Sequence, residues 1–157
     1  MPLIGVIAKK KNIKIIKKYI IGDKLQLIEI NNKSTDNLKN IKFDEIVILE
    51  NITLDRDKYK YINDIISKTD YLIVNDSVNL NEIKIEKPIK IITIGFNSKS
   101  TITISSIGEN KIILSVQREI KKKNNDVIEA QEKVLDIVDG VNIYNEIVVF
   151  IINELHN

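Results

Sequence analysis

Continuous apolar runs alternate with helically spaced apolar residues through the first part of this chain, and that alternation restricts the fold more than any other feature. Leu3 to Ala8, Leu25 to Ile30, Glu45 to Leu49, Tyr71 to Val74 and Ile89 to Ile94 read as strands. Runs apolar at successive positions suit strands buried on both faces of a parallel sheet. Between the first two lies Asn12 to Ile20, with Ile13, Ile16 and Ile20 at helical spacing, Lys14, Lys17 and Lys18 between them, and Gly22 as the expected stop. Ser34-Thr35-Asp36 is expected to cap a short helix reaching about Asn40. Lys58 to Lys68 repeats the helical spacing through Tyr61, Ile62, Ile65 and Ile66, and Pro88 and Gly95 bracket the fifth strand. Strands separated by helices imply βαβ units and a parallel sheet.

The pattern then changes. Thr101 to Ile107 and Lys111 to Val116 flank Gly108-Glu109-Asn110, the signature of a β-hairpin. Lys121 to Asp126 reads as a polar loop, Val127 to Val138 as a stretch that holds one more strand, with Val134, Ile137 and Val138 apolar, and Asn142 to Leu155 as a closing amphipathic helix after Gly140. The expected architecture is one α/β domain over residues 1–157: a parallel sheet flanked by helices, a small antiparallel β appendage and a C-terminal helix.

Composition narrows the function classes. A chain of 157 residues with 43% hydrophobic and 29% charged residues can bury a core. A net charge of +2 is too small for a nucleic-acid footprint, so no nucleic-acid partner is expected. The absence of cysteine excludes disulfides and thiolate metal sites. No apolar stretch approaches the ~18 residues that span a bilayer, and basic residues follow the first apolar run rather than preceding it. The expectation is a cytoplasmic protein without a membrane partner. The single histidine, His156, falls in the C-terminal tail, where disorder is the default.

The stretch Leu3 to Lys14 occupies the strand–loop–helix position at which an α/β nucleotide-binding domain cradles phosphate. Such a loop uses glycines, whose backbone N–H groups can approach the anion, and a Lys followed by Ser or Thr. Residues 8–13 read Ala-Lys-Lys-Lys-Asn-Ile, without glycine or hydroxyl. Further along, Ile46-Val47-Ile48-Leu49 leads into Asn51-x-x-x-Asp55, a helix follows, and the next strand ends in Val74-Asn75-Asp76. Ile92-Thr93-Ile94-Gly95-Phe96 and Gly140-Val141-Asn142-Ile143-Tyr144-Asn145 complete the order. In this order and spacing the chain resembles the central domain of the Mur ligases, the ATP-dependent enzymes that add amino acids to peptidoglycan precursors, and of relatives such as folylpolyglutamate synthase.

The resemblance implies a degenerate, truncated member. Ala8 to Ile13 stand where the family has Gly-x-Asn-Gly-Lys-Thr/Ser. Glu29 matches the family's magnesium-binding carboxylate. Asn51 and Asp55 match the next motif, whose metal-ligand His is replaced by Arg56, and Ile62 stands near the family's carbamylated Lys. Asn142 and Asn145 match the last motif, which is one residue short. Phosphoryl transfer depends on positioning and charge neutralisation, so these losses argue against a working ligase. No cofactor is expected, ATP and Mg²⁺ being disfavoured.

Glu29, Asn51, Asp55 and Asn145 are the candidate residues of a remnant cleft. Each also has a structural reading: a strand-end carboxylate for Glu29, turn or cap roles for Asn51 and Asp55, and a helix-capping and orienting role for Asn145. The lysines at 9–11, 14, 17 and 18 read as a solvated helix face. Three functions follow: a non-catalytic binding or scaffold module with a protein partner or a second copy of itself; a small-ligand binder retaining part of a nucleotide or UDP-precursor cleft; and a ligase subunit completed by another chain.

Overall fold

A computed structural model describes residues 1–20, 24–138, 140 and 142–157. The strands are β1 (Leu3–Ile7), β2 (Gln26–Glu29), β3 (Glu45–Ile48), β4 (Tyr71–Asn75), β5 (Lys90–Gly95), β6 (Ile102–Ile107), β7 (Lys111–Val116), β8 (Ile120–Lys121), β9 (Val127–Ile128) and β10 (Gln131–Asp136). The α-helices are α1 (Lys10–Tyr19), α2 (Thr35–Leu38), α3 (Tyr59–Lys68) and α4 (Ile143–Leu155), with a 3₁₀ turn at Arg56–Lys58. Gly22, expected to end α1, and Val141 of the Gly140–Asn145 stretch lie outside the described residues.

One eight-stranded sheet has the order β10-β7-β6-β5-β4-β3-β1-β2. From β2 to β6 every neighbouring pair is parallel. β7 and β10 extend the sheet as antiparallel strands. β1 lies between β2 and β3, so the chain builds outward from β1 in one direction and then in the other. That reversal opens a crevice at the C-terminal ends of the strands, where open α/β sheets bind ligands.

Two apolar clusters cover the two faces. On one, Ile16 of α1 and Ile147, Val148, Ile151 and Ile152 of α4 pack on Ile4, Val6, Val47, Ile73, Ile92, Ile94, Ile112 and Leu114. On the other, Leu38 of α2 and Ile62, Ile65 and Ile66 of α3 pack on Ile7, Ile46, Ile48, Leu72 and Val74. β1, β3 and β4 feed both clusters on alternate residues, which is why their sequences are largely apolar. Ile62 is fully buried.

The outer half of the second face is different. Ile91 (43% exposed) and Val134 (53% exposed) face solvent there, in line with Thr93, Ile113 and Ser115. Gln117 Nε2 donates to Thr103 Oγ1 and to Ser115 Oγ at 2.9 Å each. Arg118 donates to the Lys99 carbonyl at 3.2 Å and to Thr101 Oγ1 at 3.0 Å.

Several local expectations need correction. Ser34 does not cap α2 with its side chain. Its Oγ accepts from the Asn31 N–H at 2.9 Å and donates to the Glu29 carbonyl at 3.1 Å, so it closes the turn after β2. Residues 127–138 hold the expected further strand, β10, which pairs with β7, but they also open with β9, which pairs with β8 as a two-stranded ribbon. The 121–126 stretch is the tip of that ribbon, with Asn125 in the left-handed region at φ 71°. His156 is not a disordered tail residue. It closes α4, and its Nε2 lies 2.9 Å from Oε1 of the buried Glu45.

Candidate functional site

The crevice at the strand reversal is walled by Ile7 and Ala8 after β1, by Glu29 to Asn32 after β2, and by Glu50 to Leu54 after β3. Its volume is about 90 Å³. Pockets that bury drug-sized ligands measure roughly 300–1,000 Å³, and a water molecule takes about 30 Å³. The crevice is therefore small beside such pockets.

The sequence accounts for how tightly it is drawn. Asn31 Oδ1 accepts from the Lys33 and Ser34 N–H groups at 2.9 and 3.0 Å, an Asx-type turn that folds the chain back as soon as β2 ends. Asn32 then reaches across to the segment after β3. Its Nδ2 donates to Asp55 Oδ2 and its Oδ1 accepts from the Asp55 N–H, both at 2.9 Å. This reciprocal clasp ties the β2 and β3 loops together. Beyond it, Tyr59 Oη donates to the Ile52 carbonyl at 3.1 Å, and Asn51 Oδ1 accepts from the Asn79 N–H at 2.8 Å.

The first loop is shorter still. β1 ends at Ile7 and α1 starts at Lys10, so only Ala8 and Lys9 connect them. The Lys9 carbonyl accepts from the Asn12 and Ile13 N–H groups at 2.9 and 3.1 Å, closing the first helical turn directly on the strand end. Lys9 stands at the N-cap with no side-chain cap, and the first turn holds no acid.

The four candidate residues are thus only partly brought together. Glu29 and Asn51 line the crevice, with Glu50 alongside. Asp55 belongs to the clasp. Asn145 does not line the crevice: it is 1% exposed on α4, and its Nδ2 donates to Asn12 Oδ1 of α1 at 3.0 Å. It joins two helices instead of capping one. The cap of α4 is Asn142, whose Oδ1 accepts from the Tyr144 N–H at 2.9 Å. No protein-family model matches the chain, and no curated protein sequence matches it.

Two further constellations escaped sequence reasoning. At the upper end of β4, Asn75 Oδ1 accepts from the Ser77 N–H and hydroxyl. Asp76 Oδ2 accepts from the Asn97 N–H at 2.9 Å and the Ser100 hydroxyl at 3.0 Å, fixing the turn between β5 and β6. Asn75 and Asp76 are therefore occupied in shaping turns. Tyr144 of α4 comes near enough for burial, helped by the Asp76 charge, to push its phenol up. At the opposite end of the sheet, Lys123 bridges Asp44 and Asp70, the latter at 2.6 Å. Tyr71 Oη donates to the Lys121 carbonyl at 2.5 Å, so the ribbon is tied down over the strand starts.

Among the described residues, no group of three or more His, Cys, Asp or Glu side chains could hold a metal ion. No helix among them is long and apolar enough to cross a membrane.

Proposed function

We propose that this chain is a non-catalytic binding or scaffold module similar to a Mur ligase central domain. The observation that carries the reading is the connection of β1 to α1 through Ala8 and Lys9 alone. An anion-cradling loop needs a run of free backbone N–H groups around the phosphate. Here the turn closes on the Lys9 carbonyl, and Ala8 and Lys11 stand where the family's glycines would allow close approach. The narrow crevice and the Asn32–Asp55 clasp are in keeping with it. The partly apolar sheet face bearing Ile91 and Val134 is the surface on which a protein partner or a second copy would rest, since such patches mark interaction sites.

A second reading, a binder of a small polar ligand at the strand reversal, is favoured by one observation: Glu29, Glu50, Asn31 and Asn51 converge there with strand-end backbone. Thermal denaturation with ATP–Mg²⁺ and with a UDP-sugar peptide separates the two. The first reading expects no shift in Tm at millimolar ligand, because only a ligand that prefers the folded state raises stability. A dose-dependent rise with either would replace the first reading by the second. Sedimentation across a range of protein concentrations, alone and with Ile91→Lys, tests the sheet face: self-association through it would be weakened by the added charge.

A further inference from the structure

Glu45 opens β3 and is fully buried, as is uncommon for a carboxylate. His156 Nε2 lies 2.9 Å from its Oε1, yet neither carboxylate oxygen has an aligned hydrogen-bond donor. An ionised carboxylate left in that state carries a heavy desolvation cost. The imidazole that relieves it sits at the C-cap of α4, the helix that supplies Ile147, Val148, Ile151 and Ile152 to the core.

We propose that the Glu45–His156 pair is a proton-controlled latch that holds the C-terminal end of α4 against β3. With one proton shared between them, the pair is either two neutral groups or an ion pair, and both are tolerable when buried. Removing that proton leaves a buried carboxylate beside, at best, a neutral imidazole. The end of α4 then gains by lifting and admitting water to Glu45.

The surroundings set the direction of the response. Asp44 adjoins Glu45 on β3 and adds negative charge. Lys123, on the ribbon tip, opposes it but is already committed to Asp44 and Asp70. Lys122 Nζ reaches the Asn157 carbonyl at 3.5 Å, a second and weaker tie on the same end of the helix. Glu154 is the nearest acid in sequence on α4 itself. Burial, partly offset by His156, holds the Glu45 carboxyl above the usual carboxylate range. A carboxyl raised on docking contributes stability below its ordinary pKa and loses it as pH rises through the raised value. The latch therefore loosens with rising pH.

Hydrogen exchange of the amides at 152–156, corrected for intrinsic rates, tests this between pH 5 and 9. The opening constant of the helix end is expected to rise about tenfold per pH unit over the window in which one proton leaves. Glu45→Gln keeps the shape without the charge and should flatten that slope. His156 is the only histidine, so its ring resonances can be followed in the unmodified protein. They should report the change in the ring's surroundings as the helix end opens and protection at 152–156 is lost. Protection at 152–156 that is independent of pH, or that varies identically in the Gln variant, would overturn the latch.

Discussion

Gly95 ends β5 at φ +155°, and a Cβ built there would run into the Asp76 carboxylate. That carboxylate cannot step aside freely, because it holds the Asn97 N–H and the Ser100 hydroxyl. Gly95→Ala should therefore destabilise the protein by about 1–3 kcal/mol, the usual range for forcing extra volume into a packed site. Urea denaturation measures it as a lower midpoint with an unchanged slope. The cause is separable: in an Asp76→Ala background the same substitution should cost markedly less, because the clash is gone. Equal costs in both backgrounds would mean that backbone conformation, not the carboxylate, requires the glycine. The pairing of Gly95 with Asp76 was not legible in the sequence. Each residue is visible as a turn former, but a carboxylate closing a loop twenty-odd residues away has no local signature. Asn51 and Asp55 were legible as polar residues after a strand for the same reason that their role was not: Asn and Asp satisfy backbone groups in many geometries, and here the partners are Asn79 and Asn32.

Elements were the most legible level. The strands from β1 to β7 and the helices α1, α3 and α4 lie within a residue or two of where apolar periodicity puts them, since residues buried in a sheet or against one must be apolar at the period of their own element. The ribbon of β8 and β9 was hidden because two-residue strands offer no period to read, and the limits of β10 were blurred because an edge strand exposes most of its side chains. Helix ends carry their own predictions. Lys9 places a cation at the positive end of α1 without a capping oxygen, so Lys9→Ser should stabilise the fold by about 0.5–1 kcal/mol. Asn142→Ala removes the existing cap of α4 and should cost about 1 kcal/mol. Thermal unfolding of the two variants should shift Tm in opposite directions. A Lys9→Ser protein with an unchanged or lower Tm would mean that the charge at this helix start is already compensated.

At the scale of the molecule, the two ends of the sheet are finished differently. The C-terminal ends of β1, β2 and β3 are closed by turns and by the Asn32–Asp55 clasp. The N-terminal ends are closed by the ribbon, held through Lys123. Charge linkage makes the second closure measurable. Burial alone would raise the Asp44 carboxyl, but Lys123 and the Leu3 N–H outweigh it and hold it below its usual value. Burial would likewise lower Lys123, but Asp44 and Asp70 outweigh it and push it well above the ordinary lysine range. A depressed carboxyl stabilises the fold above its ordinary pKa and loses that contribution as pH falls through the folded value. A raised lysine stabilises it below its ordinary pKa and loses that contribution only in strong alkali. Between these limits the tie is at full strength. Lys123 is 46% exposed, so solvent screening limits the effect, and Lys123→Ala should cost about 1 kcal/mol near neutral pH. The difference from the unmodified protein should shrink as pH drops below about 4, where an ordinary Asp takes up its proton. Urea midpoints from pH 3 to pH 7 would reveal it. A penalty that stays constant across that range would assign the role of Lys123 to the packing of its aliphatic stem, and the ribbon would then be held by Tyr71 and the backbone rather than by charge.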